Sequence, residues 1–233
     1  MTLRKKILEK FGGRELDDSA FRSQTHYEFG IKMSGKGRHD QALAEFNQSI
    51  KLNPQFAEAY VGLGSAFSSL GRLNEAIEAY SEALRLRPDY VEAYSNLGLA
   101  YDRSGNFIKA LAMYTKAIRY KPGDVDLRRN LGLAYFNIGS YSLAIKSYQH
   151  AIELNPADGQ AHYYLGLVHL DLEDKDSAME EQEKLKELGH DDLASLLLDD
   201  VQRQTWRVAP ALSRRQSLAR AISAAKHARM SEP

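Results

Sequence analysis

The chain has 233 residues, of which 43% are hydrophobic, and its basic and acidic side chains are equal in number, 31 of each. It contains no cysteine, which excludes a disulfide framework, thiolate metal sites and nucleophilic cysteine chemistry. No run of about 18 apolar residues is present, so we expect no membrane-spanning helix. The first residues lack the apolar core and cleavage site of a secretory signal, and we therefore expect a cytoplasmic protein.

The zero net charge hides an uneven distribution along the chain. Residues 1–22 hold six Lys or Arg against four acids, residues 206–233 hold six against one, and the segment between them holds nineteen against twenty-six. We interpret residues 1–22 as a lead-in that forms a short helix or is disordered. Residues 206–233 form a basic tail rich in Ala, Ser and Arg, which we expect to be disordered or to fold on an acidic partner or an anionic surface.

Between these ends the sequence repeats with a period of 34 residues. Three sets of landmarks share the period: a first glycine, a second glycine seven residues later, and a proline. They are Gly30, Gly64, Gly98, Gly132 and Gly166; Gly37, Gly71, Gly105 and Gly139; and Pro54, Pro88, Pro122 and Pro156. A repeat of this length indicates an array of supersecondary units that bury their surface against one another.

Each repeat predicts one helical hairpin. Small residues such as Gly98 and Ala110 suit the closest approach of two helices, so that Tyr114 can fill the space beside them. Gly105 suits the tight turn between the helices, and Pro122 cannot continue the second helix. The five predicted hairpins cover about residues 23–55, 56–89, 90–123, 124–157 and 158–190.

The segment 191–205 predicts one more helix. Asp191 and Asp192 lie in its first turn, where negative charge favours the helix dipole. Leu193, Leu197 and Val201 lie on one apolar stripe. We expect this segment to be a capping helix that shields the last hairpin, since terminal repeats need a cap.

The repeat resembles the tetratricopeptide repeat (TPR) family. Its signature positions are occupied by Tyr94, Leu97, Gly98, Tyr101, Ala110, Tyr114, Ala117 and Pro122. The resemblance implies an all-α fold, an α-solenoid of about five helix-turn-helix hairpins plus a C-terminal capping helix.

In that family the first helices of the hairpins line a concave groove that binds other proteins. Carried over by position, the resemblance implies partner-binding residues on these helices. They are Tyr27, Glu28, Asn96, Leu99, Arg103, Arg129, Asn130, Leu133, Phe136, Asn137, Tyr163, Tyr164 and Leu167. The same set of positions also holds Ile31, Glu58, Glu92 and Asp126.

Two subtypes of the family can be compared at these positions. The Lys and Asn clamp of the chaperone-binding subtype is absent, because Tyr27, Ile31 and Gly62 stand in its place. The asparagine ladder of the repeat arm of O-linked N-acetylglucosamine transferase is matched only by Asn96 and Asn130. The subtype therefore stays open.

We expect a non-enzymatic interaction scaffold or adaptor whose groove binds a peptide or helical segment of a partner, because amide and apolar side chains together suit an extended peptide. Three alternatives stay open. The chain could be a targeting or regulatory subunit that recruits substrates to an enzyme on another chain. It could contact a membrane surface or nucleic acid through the basic tail, although an acidic array disfavours nucleic acid. Self-association is also compatible with the pattern.

No catalytic residue, cofactor site or metal site is predicted. The pair Gly62 and Gly64 lies inside a predicted helix and not after a strand, so it is not a phosphate-binding loop. His162 and His169 occupy positions that hold aromatic residues elsewhere in the array, which favours a packing role over metal binding.

Overall fold

The computed structural model describes residues 18–202. Within this range it has no strand and eleven helices: α1 Asp18–Gly35, α2 His39–Leu52, α3 Ala57–Ser69, α4 Leu73–Leu86, α5 Val91–Arg103, α6 Phe107–Tyr120, α7 Val125–Asn137, α8 Tyr141–Leu154, α9 Gly159–Asp171, α10 Lys175–Glu187 and α11 Asp191–Gln202. The predicted all-α fold of five helical hairpins and a C-terminal helix is confirmed. The basic tail 206–233 and most of the lead-in lie outside the described residues. No helix in the described range is long and apolar enough to cross a membrane.

The chain divides into two compact units, residues 1–121 and 122–233. In unit 1 the helices pair as α1 with α2, α3 with α4 and α5 with α6, and consecutive hairpins join through α2 with α3 and α4 with α5. In unit 2, α7 pairs with α8 and α9 with α10, and α11 packs on both α9 and α10. The described residues start within α1, and residues 18–22 of this helix belong to the segment that the sequence suggests as a lead-in.

One glycine in each of the first four hairpins sets the distance between the two helices. A Cβ atom built on Gly98 would lie 2.6 Å from Cε1 of Tyr114, closer than Cβ atoms approach other groups. Tyr114 is 1% exposed, so its ring has no room to retreat. The equivalent pairs are Gly30 with Phe46, Gly64 with Tyr80 and Gly132 with Tyr148.

In the fifth hairpin, a residue from outside the repeat packs against the first glycine. Gln182 replaces the aromatic ring, and its side chain is 1% exposed. Leu197 of α11 takes the space beside Gly166, where a Cβ atom would lie 2.5 Å from Leu197 Cδ2. Helix α11 is therefore part of the core of unit 2, to which it contributes Leu193 and Leu197.

The turns inside the hairpins share a left-handed residue. Gly105 has φ +79°, its N–H donates to the Asp102 carbonyl over 2.9 Å, and the Asn106 N–H donates to the Tyr101 carbonyl over 2.8 Å. These two bonds form the Schellman motif that ends many helices. The fifth hairpin keeps the geometry without the glycine, since Glu173 has φ 62°.

We predict that Gly98→Ala destabilises the protein by about 1–3 kcal/mol, because the new methyl group must displace a buried ring. Gly35→Ala is the matched control: nothing lies within 4 Å of a Cβ atom at Gly35, which ends α1. Chemical denaturation of the two variants measures the effect. Equal stability of both would contradict the tight glycine–ring contact.

We predict that Glu173→Gly stabilises the protein by about 1 kcal/mol or less. The left-handed conformation costs a non-glycine residue roughly 1–2 kcal/mol, and part of this gain is lost to the larger backbone entropy of unfolded glycine. Glu180→Gly, at an exposed position inside α10, should instead destabilise by about 1 kcal/mol. If the denaturation midpoints of both variants move in the same direction, the left-handed conformation of Glu173 is not what determines the effect of Glu173→Gly.

Candidate functional site

The first helices of unit 1, α1, α3 and α5, lie side by side, with contacts from α1 to α3 and from α3 to α5. We call the surface that they share the first-helix face of unit 1. It carries five of the predicted binding residues: Tyr27, Glu28, Asn96, Leu99 and Arg103. All five lie on α1 or α5, two of the three first helices of unit 1.

Apolar and polar side chains alternate on this face. Leu99 is 37% exposed and Ile31 is 48% exposed, while Asn96 is half-buried. Arg103 is already engaged: its Nη1 donates to the Ser68 carbonyl over 3.0 Å and lies 2.6 Å from the Ser68 hydroxyl. Arg103 therefore links α5 to α3, while the apolar side chains Ile31 and Leu99 are exposed to solvent.

Tyr27 lies at one edge of the first-helix face. Its half-buried ring packs against Phe56, with ring centroids 5.0 Å apart, and against Phe46 at 5.9 Å. Burial raises the pKa of Tyr27, and the negative charges of Glu92 and Glu58 raise it further. The hydroxyl of Tyr27 is therefore protonated at neutral pH and can donate a hydrogen bond to a partner.

An arginine that the sequence analysis missed occupies the same edge. Arg87 Nη2 lies 2.5 Å from Glu58 Oε1, and its guanidinium carbon lies 3.9 Å from the centroid of the Tyr90 ring. The Tyr90 hydroxyl donates to Glu92 over 3.5 Å. Arg87 and Tyr90 lie between hairpins, outside the helix positions that the family resemblance implies. The sequence does contain a sign of this cluster: the residue before α3 and the residue before α5 are both aromatic, Phe56 and Tyr90.

In unit 2 the side chain of the predicted residue Arg129 is engaged in ion pairs within the protein. Its guanidinium forms ion pairs with Asp126 and with Asp158, and its side chain is 13% exposed. Asp158 also caps α9, since its Oδ1 accepts from the N–H groups of Gln160 and Ala161 over 3.0 and 3.1 Å. Arg129 therefore ties α7 to the start of α9.

The other predicted residues of unit 2 divide by burial. Asn130 and Asn137 are half-buried. Five are in the core: Leu133, Phe136, Tyr163, Tyr164 and Leu167.

Helix α11 accounts for part of this burial. Tyr163, fully buried, donates its hydroxyl hydrogen to Asp200 of α11 over 3.1 Å. Leu167 is 1% exposed and belongs to the same core cluster as Leu197. Tyr163 therefore contacts α11, and both Tyr163 and Leu167 are buried in the core that α11 shares.

A cavity of about 630 Å³ opens in unit 2 among the first turns of α7, α9 and α11. Its charged lining includes Asp126, Arg129, Asp158 and Asp192. His190 also lines it, and its Nε2 lies 3.0 Å from the Ala157 carbonyl oxygen. Arg129 forms ion pairs with Asp126 and Asp158, two of the carboxylates that line the cavity. These two carboxylates are therefore less available to bind a cationic ligand.

His162 is a buried ionisable group in unit 2, 7% exposed. Its Nδ1 lies 2.6 Å from Glu181 Oε2 and its Nε2 lies 3.2 Å from the Pro156 carbonyl oxygen. Both partners can only accept, so both ring nitrogens donate when the imidazole is protonated. The hydrogen bond to Glu181 raises the pKa of His162. Among the described residues, no three His, Cys, Asp or Glu side chains are grouped to hold a metal ion.

Two family models match the chain. A model described as TPR repeat matches residues 36–71 and 64–105, and a model described as tetratricopeptide repeat matches residues 97–163. Together the matches run from residue 36 to residue 163, more than half of the chain. No curated protein matches it.

Solved structures share the fold. MamA, from residue 41 to the end, from Desulfovibrio magneticus RS-1 has a TM-score of 0.68 at 22% identity, covering 75% of this chain and 97% of that one. YrrB, described as a TPR protein with an unusual peptide-binding site, has a TM-score of 0.65 at 21% identity, covering 85% and 98%. TTC0263, a thermophilic TPR protein in Thermus thermophilus, has a TM-score of 0.61 at 26% identity, covering 76% and 97%. The first two matches show the fold alone.

We predict that His162 contributes more stability at pH 6 than at pH 8. Its folded pKa lies above the unfolded value of about 6.5, so the stabilisation is fully present below 6.5 and is lost as the pH rises through the folded pKa. His162→Gln should cost about 1–3 kcal/mol at pH 6, typical of a hydrogen bond to a charged group, and less at pH 8.

Urea denaturation at the two pH values measures this difference, with His150→Gln, a half-buried histidine of α8, as the control. If His162→Gln costs the same at both pH values, the ring does not change its charge in this range.

Proposed function

This chain belongs to the tetratricopeptide repeat family, and from that premise we propose that it is a non-enzymatic protein-interaction scaffold or adaptor. Its partner is a peptide or helical segment of another protein, bound on the first-helix face of unit 1. The observation that supports this most is the exposure of Leu99 and Ile31 on that face, beside half-buried polar residues. YrrB is evidence that the same fold can carry a peptide-binding site.

The exposed apolar side chains are suited to hold side chains of the partner. Leu99 and Ile31 lie on α5 and α1, at equivalent positions of their hairpins, so both face the same surface. Asn96 lies one turn before Leu99, and an amide can donate to and accept from the backbone of an extended peptide. A bound segment would gain affinity from both kinds of contact.

The predicted binding residues of unit 2 have a different part in this proposal. Tyr163 and Leu167 support the fold under α11, and Arg129 ties α7 to α9. Asn130 and Asn137 keep partial exposure and are the residues of unit 2 that can contact a partner directly. We therefore assign the main binding surface to unit 1.

The alternative of a targeting or regulatory subunit uses the same face. It differs only in the partner, which would then be a substrate of an enzyme carried on another chain. The alternative of membrane or nucleic-acid contact depends on residues 206–233, outside the described residues.

We predict that a photo-crosslinking amino acid at Leu99 captures a partner segment, while the same amino acid at Ile108 does not. Ile108 is the matched control because it is an exposed apolar residue, 67% exposed, on the second helix α6. The crosslinked segment is identified by mass spectrometry, synthesised, and measured for binding to the intact chain by fluorescence anisotropy.

The double variant Ile31→Ala and Leu99→Ala should weaken this synthetic segment about tenfold or more, since a contact residue in a small apolar site contributes on the order of 1 kcal/mol. Ile108→Ala should leave the affinity unchanged. Crosslinks only at Ile108, or affinity unchanged in the double variant, would place the binding surface elsewhere.

A further inference from the structure

Three carboxylates lie on the first helices of unit 1. They are Glu28 on α1, Glu58 on α3 and Glu92 on α5. All three act on the same phenol, since each raises the pKa of Tyr27 through its negative charge after the larger effect of burial. Arg87 and Tyr90 link Glu58 to Glu92 by direct contacts, and Glu28 follows Tyr27 in the chain, so we group the three carboxylates as the acidic edge.

The acidic edge already binds one guanidinium group, that of the chain itself. Arg87 lies with its guanidinium carbon 3.9 Å from the centroid of the Tyr90 ring and its Nη2 2.5 Å from Glu58. An aromatic face and a carboxylate together form a favourable environment for arginine, through cation–π attraction and a charge-assisted hydrogen bond. Arg87 keeps 38% exposure, so this environment is open to solvent.

Two of the three carboxylates remain without a cation. Among the described residues, neither Glu28 nor Glu92 forms an ion pair. Glu28 accepts a hydrogen bond from the neutral amide of Gln24 over 3.2 Å, and Glu92 accepts one from the Tyr90 hydroxyl. Arg87 pairs with one of the three carboxylates, and Arg103, a further cation of this face, donates to Ser68.

Apolar surface continues directly from these carboxylates. Ile31 follows Glu28 by one turn of α1, and Leu99 follows Glu92 by two turns of α5. Their exposed fractions are 48% and 37%. A ligand that covers both kinds of surface must carry cations and apolar side chains within a short length.

We propose that the first-helix face of unit 1 recognises a basic, partly apolar segment of a partner protein, in which Glu28 and Glu92 bind Arg or Lys side chains and Ile31 and Leu99 hold apolar ones. This inference rests on the proposed function and specifies the chemistry of its partner. Acidic segments and nucleic acid are disfavoured, because their charge is repelled by the edge.

The probes are three labelled peptides of the same length, each with four leucines and with four arginines, four glutamates or four glutamines at the remaining variable positions. Fluorescence anisotropy with the full chain measures their affinities at low and at physiological salt. The arginine peptide should bind about tenfold or more tightly than the glutamate peptide, and its affinity should fall as salt increases.

The double variant Glu28→Gln and Glu92→Gln should weaken the arginine peptide about fivefold or more and the glutamine peptide less than twofold, since each exposed ion pair contributes only modestly. The control, Glu78→Gln with Asp40→Asn, removes the same charge from exposed positions on the second helices α4 and α2. Melting curves of both variants establish that they are folded.

Three outcomes overturn the inference: arginine peptide binding no tighter than glutamine peptide, an unchanged affinity in the Glu28 and Glu92 variant, or an equal loss in the control. The Ile31→Ala and Leu99→Ala variant separates this failure from that of the proposed function. If it weakens the glutamine peptide while the cation preference is absent, the face still binds peptides and only its charge preference is wrong.

Discussion

The absence of one side chain in each of the first four hairpins determines how closely the two helices of that hairpin pack. At Gly98 the ring of Tyr114 occupies the space where a Cβ atom would be, and the pair of Gly64 with Tyr80 repeats this contact. Because the contact recurs, equivalent residues of α1, α3 and α5 fall at equivalent places on one face. The glycine–ring contact therefore fixes where side chains lie on the first-helix face, but not which side chains they are.

The residue before each first helix shows how much chemistry one repeat position can change. In unit 2, Asp124 and Asp158 cap the helices that follow them, and Asp158 also binds Arg129. In unit 1 the same position holds Phe56 and Tyr90, which make no side-chain cap. Their rings pack against Tyr27 and the guanidinium of Arg87 instead. The same repeat position thus holds capping aspartates in unit 2 and aromatic residues of the acidic edge in unit 1.

The fold could be predicted from the sequence because its determinants repeat, whereas the candidate site depends on residues that do not. The period of the glycines, aromatic rings and prolines was enough to predict the helices and their pairing. The burial of Tyr163 was not predictable, because it depends on Asp200 in a helix outside the repeats. The left-handed turn at Glu173 was not predictable either, because the turn glycine is replaced by Glu173, which nevertheless adopts φ 62°. Arg87 lies in a connection that a family pattern treats as a spacer.

Comparison of Leu99 with Leu167 explains why the two units differ as binding surfaces. The two leucines occupy the same repeat position, but Leu99 is 37% exposed and Leu167 is 1% exposed. Helix α11 packs on α9 in unit 2 and places Leu197 beside Gly166. Burial of these apolar side chains stabilises unit 2, at roughly 25 cal/mol for each Å² removed from water. The same burial withdraws them from any partner, so the contact that completes the core of unit 2 also limits its use for recognition. In unit 1 Leu99 keeps 37% exposure, and in our proposal this remaining apolar surface contributes to binding.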